Sequence, residues 1–215
     1  INRYGVTGTA SANQAYVPRR IRISEDGRIF VTSLNSEGDV LWELNPENLN
    51  EWNTVIADGT RSNVYTETRN IIDGNGNFIA GPNVGFDVYG SGDNLKLLML
   101  SSADEGWGYN QSAYKCVEYD LGTNTSWNKV PSRTIFNKLA VYPLQAQVQY
   151  DKNGGVWFTQ HNSNTNQTTL PGLAHWDANS TTPDVIVKRN NVQNSGFRYN
   201  HDFTKVIIAG IEDQI

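Results

Sequence analysis

A chain of 215 residues with a formal net charge of −5 is long enough to bury a sizeable core, and it carries no surplus of positive charge. Lys and Arg are scattered, with Arg19-Arg20 and Lys188-Arg189 the only adjacent pairs, so no basic stripe follows a phosphate backbone and nucleic acid is not an expected partner. Aromatic residues make up 11% of the chain, which excludes a disordered composition, and no apolar run reaches the length of a membrane span.

The first predicted element is a hairpin over Arg20–Thr32, two short strands around the polar turn Glu25-Asp26-Gly27. A third strand, Val40–Pro46, ends on Leu44 followed by Asn45, and a fourth apolar run follows at Asn53–Ile56. The same order then returns. Phe86–Leu98 is a second hairpin, Cys116–Gly122 a third strand ending on Tyr119 before Asp120, and Asn128–Val130 a short fourth run. Gln147–Thr159, Leu173–Asn179 (ending on Trp176 before Asp177) and Asp184–Val187 make a third copy, and Phe197–Ile208 opens a fourth. Asn and Asp stop each third strand because their side chains bond nearby backbone and tolerate left-handed conformations.

Four antiparallel strands per repeat is the blade of a β-propeller. One twisted sheet cannot bury both its faces alone, so blades stack around an axis. The expectation is therefore an all-β chain, a single propeller domain over 1–215 with blades at approximately 20–57, 84–131, 145–188 and 195–215. About three and a half blades are present, short of the usual minimum of about four. The segment Tyr4–Thr9 has the pattern of a strand for another blade, and the chain opens at Ile1 without Met. The expected reading is a piece of a longer propeller whose remaining blades lie outside these residues; the rival is a small ring whose last blade combines both termini.

The run Glu25–Thr32 followed by Val40–Pro46 resembles repeats of the NHL and YVTN-like propeller superfamily, which read as Asp-Gly, an apolar or aromatic pair, a turn, and a strand ending in Asp or Asn-Pro. The style is similar to secreted or surface-exposed propellers of Bacteroidetes-type bacteria. The resemblance covers most of residues 20–209 and implies a propeller in an extracytoplasmic setting; it carries over no activity and no catalytic residue. The chain departs from WD repeats, since Trp176-Asp177 occurs only once, and it lacks the full Ser-x-Asp-x-Gly-x-x-Trp box of sialidase-like propellers.

Four groups of residues carry candidate chemistry. Asp73, Asn75 and Asn77 place oxygen ligands at alternate positions, as at the start of a calcium loop, so a structural calcium is the one metal the chain suggests and no other cofactor is expected. Phe78 and Val84 stand where that loop needs Gly and Glu, and a Gly-rich turn between Asn70–Ile72 and Phe78–Ala80 is the simpler reading. His161, His175 and His201 lack the spacing of a zinc site, and His175 reads as a satisfied strand residue. Asp120 and Asp177, at equivalent repeat positions, read as turn residues. Asp87 breaks the repeat, its counterparts being Arg22, Gln149 and Arg198, and reads as a solvated partner for a neighbouring Arg. Cys116, alone in a strand, reads as a small buried hydrophobe.

The aromatic loops complete the set. Trp107, Tyr109 and Asn110 fall in a long connection between the second and third strands of the second repeat, and His161 and Asn162 open the equivalent connection of the third. Long loops on a rigid scaffold tend to carry function, and an aromatic ring beside amides suits a sugar. The leading expectation is a non-catalytic binding or scaffolding propeller that recognises glycan or protein. The alternative is a polysaccharide hydrolase or lyase, or a lactonase-like metal hydrolase, with its catalytic residues at the central channel. Convergence of Asp87, Glu118, His161 and His175 would favour the enzyme.

Overall fold

Short apolar strands broken by polar Gly turns have one ready way to satisfy their backbone groups, which is to pair with the segment just before them. The computed structural model describes residues 18–33, 41–45, 48, 52–56, 59–61, 69–71, 85–103, 113–123, 131–140, 147–159, 171–188, 192–199 and 205–212. Its regular structure is almost wholly antiparallel β.

The first sheet holds β1 (Pro18–Ile23), β2 (Ile29–Ser33), β3 (Leu41–Leu44) and β4 (Trp52–Ile56), each strand beside its predecessor. A two-stranded ribbon follows, β5 (Gly59–Arg61) with β6 (Arg69–Ile71). The second sheet takes β7 (Gly85–Tyr89), β8 (Lys96–Ala103), β9 (Ala113–Asp120) and β10 (Arg133–Ala140) in the same meander. The third takes β11 (Gln147–Tyr150), β12 (Val156–Thr159), β13 (Pro171–Trp176) and β14 (Val185–Lys188), and β15 (Val192–Tyr199) pairs with β16 (Val206–Glu212). The fourth place of the second sheet is thus filled by Arg133–Ala140; the run expected there, Asn128–Val130, lies outside the described residues. Likewise Arg69–Ile71 takes its partner from Gly59–Arg61 upstream, while residues 72–84 lie outside the described residues.

The first strands lie side by side. β7 packs against β1 on one flank and β11 on the other, and β15 packs on β12 and β13. This fixes the burial pattern of the middle sheet. On β8, Leu97 and Met99 join Phe30 and Leu41 of the first sheet in one apolar cluster, whereas Leu98 and Leu100 join Val148, Val156 and Phe158 of the third in another. A strand buried on both faces needs a continuous apolar run, which Leu97–Leu100 supplies. Edge-on and tilted contacts of Phe136 with Phe158 and Trp176, at 4.9 and 5.3 Å between ring centroids, hold the second seam. Cys116 is buried there, as its strand position predicts, and burial pushes its thiol well above the usual range.

Register makes the repeat literal. Arg22 faces Phe30, which faces Glu43; Asp87 faces Leu98, which faces Glu118; Gln149 faces Trp157, which faces His175. The opening turns match as well: Ser24 N–H bonds the Arg28 carbonyl at 2.9 Å, and Asp151 N–H bonds that of Gly155 at 2.9 Å. Each turn closes on a left-handed glycine, Gly27 or Gly154, at φ +85° and +80°. At Gly154 the Tyr89 ring lies where a side chain would go, which excludes any larger residue twice over.

Candidate functional site

Where β1, β7 and β11 run together, their ends and the turns after them enclose a cleft of about 420 Å³. Arg22, Ile23 and Glu25 come from the first repeat, Asp87, Val88 and Tyr89 from the second, and Gln149, Tyr150, Asp151 and Lys152 from the third. The volume suits a small ligand, and an aromatic ring beside charged and amide side chains suits a polar one.

Asp87 is the centre of this site. One carboxylate oxygen accepts the Arg22 Nε–H at 2.9 Å, and the other accepts the Tyr150 backbone N–H at 2.8 Å. It therefore ties all three repeats together. The sequence suggests a solvated carboxylate paired with an Arg; the pairing holds, but Asp87 is only 8% exposed. The burial has a simple cause: β7 lies between two other first strands, so both its faces are covered. Loss of water raises the Asp87 pKa to about 6, even against the opposing pull of Arg22 and the Tyr150 N–H. Arg22 also lies over the Phe86 ring, 5.7 Å from its centroid.

Behind the cleft a second buried carboxylate is fully engaged. Glu118 accepts the Tyr150 hydroxyl at 2.9 Å, Lys96 Nζ at 2.8 Å and an Arg133 guanidinium N–H at 3.2 Å. Burial, reinforced by Glu118, pushes the Tyr150 hydroxyl well above its usual range, so it stays protonated and donates. Tyr150 thus links both carboxylates, giving its backbone N–H to Asp87 and its hydroxyl to Glu118. At the rim, the Tyr89 ring packs on Tyr150 at 5.3 Å and its hydroxyl donates to the Lys152 carbonyl at 3.3 Å.

The equivalent of Glu118 in the third repeat is His175, and its environment is rebuilt around it. In the first repeat Arg28 grips Glu43 at 2.6 and 2.9 Å, and in the second Lys96 grips Glu118; in the third the same place is Gly155. The space so opened is filled by Asp151, whose carboxylate lies 2.8 Å from His175 Nε2, while Asp184 lies 2.7 Å from Nδ1. A Cβ on Gly155 would come within 2.4 Å of the Asp151 carboxylate and 2.7 Å of Nε2. The Trp157 ring packs on the imidazole at 4.5 Å. His175 is the satisfied strand residue its position predicts.

Asp87 and Glu118 therefore do meet, through Tyr150, whereas His175 turns into its own repeat. His161 lies outside the described residues, as do Trp107, Tyr109, Asn110 and Asn162 of the proposed aromatic loops and Asp73, Asn75 and Asn77 of the proposed calcium loop. Sequence reasoning missed Arg22, Tyr89, Gln149 and Tyr150 as one site. The signal present was the non-matching chemistry at one repeat position, Arg22, Asp87 and Gln149, which falls on neighbouring strands.

No family model matches this chain, and a search of curated proteins finds no match. Among solved structures, a xylan beta-1,4-xylosidase from Bacillus halodurans C-125 superposes with a TM-score of 0.45 at 12% identity. The superposition covers 86% of this chain and 34% of the xylosidase, so the chain spans about a third of that protein's length. At that level of overlap it assigns no activity.

Proposed function

We propose that the chain is part of a β-propeller acting outside the cytoplasm as a non-catalytic binding module, and that the cleft at its first strands takes a glycan or a polar segment of a protein. The observation that carries this reading is the convergence of β1, β7 and β11 on one cleft, with the remaining strands of each sheet following outward in order. Sheets arrayed with their first strands together support a reading as blades around an axis. The carboxylate most deeply set in the cleft, Asp87, has both oxygens committed to Arg22 and Tyr150, which suits a strut better than a nucleophile or base. Tyr89, Gln149, Glu25 and Lys152 supply the stacking face and the hydrogen-bonding groups of a sugar site. The extracytoplasmic setting follows from the resemblance of the repeats to secreted propellers.

One observation favours the hydrolase alternative. A carboxyl group with its pKa raised to about 6 is suited to act as a general acid near neutrality. Calorimetric titration with a panel of neutral and acidic oligosaccharides, alongside assay of new reducing ends, separates the two. Binding heat that disappears in Tyr89→Ala and Gln149→Ala, with no release of reducing ends, is the expected result. Turnover abolished by Asp87→Asn would replace the binding reading with the enzymatic one, and no heat with any sugar would remove glycan as the ligand.

A further inference from the structure

The face each sheet turns toward its predecessor can be matched residue by residue. In the second sheet Val88 faces Leu97, which faces Tyr119; in the third Tyr150 faces Val156, which faces Trp176. All six are buried. The first row is covered by Phe30 and Leu41 of the first sheet, the second by Leu98, Leu100 and Cys116 of the second. Phe86 and Val148, two residues earlier on their strands, are buried in the same seams.

The first sheet carries the same row. Ile23 faces Ile29, Leu44 ends β3, and Ile21 stands where Phe86 and Val148 stand. On the same face Val31 and Trp42 are already buried, with Ile29 and Leu44 partly buried against them, yet at the β1 edge Ile21 is 57% exposed and Ile23 62%. These are the large apolar side chains that stand exposed among the described residues. Two β-branched apolar residues on one face of a strand, each with two buried counterparts, mark an interface rather than a solvent face. Ile23 also lines the cleft, so a unit seated on that edge would border it.

We propose that the row of Ile21 and Ile23 on β1 seats a further four-stranded unit of the same repeat, and that this unit adds a wall to the ligand cleft. The occupant is identified by continuity: both other rows of this kind are covered by the back face of a sheet like their own. This inference rests on the ring reading above. It adds that the ligand is held by residues from beyond the first sheet as well as by Tyr89, Gln149, Glu25 and Lys152.

Thiol labelling tests it in the intact protein as its source organism expresses it. Ile23→Cys is compared with Asn179→Cys, an exposed turn position, and with the native Cys116, which lies in the seam between the second and third sheets. Ile21→Cys is the second variant if the first fails to fold. A seated unit slows maleimide labelling at position 23 by about 100-fold or more relative to position 179, at protein concentrations where light scattering shows a monomer. Labelling at position 23 as fast as at 179, with Cys116 still protected, overturns the seat and leaves the ring reading intact. Fast labelling of Cys116 as well overturns both. Protection that appears only as dimers form assigns the face to a second copy of the chain and equally overturns the proposal.

Discussion

Asp87 carries the clearest electrostatic consequence of the fold. Its pKa rises from the ordinary 3.8 to about 6 because burial penalises the charged form more than Arg22 and the Tyr150 N–H favour it. A carboxyl group that binds its proton more tightly when folded stabilises the protein fully below about pH 4 and loses that contribution as pH rises through 6. Between pH 4.5 and 7.5 the loss is about 2 kcal/mol at 1.36 kcal/mol per pKa unit. Urea unfolding at both pH values should show that slope in the native protein and its removal in Asp87→Asn; equal slopes in the two would contradict the assigned burial. Gly155 gives a steric prediction. Because a Cβ there meets both Asp151 and His175, Gly155→Ala is expected to cost about 1–3 kcal/mol and to displace the imidazole. Thermal unfolding and the His175 ring resonances read the two effects.

At the scale of the element, each third strand carries a buried polar residue at the same repeat position, and its partner is chosen by the residue at the start of the second strand or just before it. Arg28 meets Glu43, Lys96 meets Glu118, and Gly155 makes room for the pair Asp151–His175. The repeat itself supplies the substitution to try. Arg28→Lys reproduces the second repeat and should lose within about 1 kcal/mol, chiefly the bond from Arg28 to the Gly122 carbonyl, whereas Arg28→Ala leaves Glu43 buried and alone and should lose about 2 kcal/mol or more. Equal losses in chemical denaturation would deny Lys96 and Arg28 their common role. These pairs also show what the sequence makes legible. The hairpins are readable because Asp, Asn and Gly turns interrupt short apolar runs, and the third strands because each ends on a large apolar residue before Asn or Asp. The fourth strand of the second sheet, Arg133–Ala140, was harder to read because its alternation is blurred by two register shifts against β9. The burial of Asp87 was hidden for a related reason, since alternation predicts one wet face per strand and β7 has none.

For the whole molecule, the cleft depends on three strands far apart in sequence. Nothing local in Arg22, Asp87 or Tyr150 announces that they touch; only the stacking of sheets brings the guanidinium of one repeat and the backbone N–H of another onto the carboxylate between them. The all-β class and its antiparallel repeats were therefore open to sequence reasoning, and the site was not. Ile21 and Ile23 stand out for the same reason: their counterparts Phe86, Val148, Val88 and Tyr150 are buried where one sheet stacks on the next, while they stand exposed. Glu25 and Lys152 lie on the rims of the first and third repeats, both exposed and both lining the cleft. Introducing one thiol at each position and adding a short bis-maleimide measures whether those repeats share it. Rapid intramolecular cross-linking, weakened by pulling the sheets apart in urea, is the predicted result. Two separate monoadducts in the folded protein, with no cross-link, would contradict the convergence of β1, β7 and β11 on a single site.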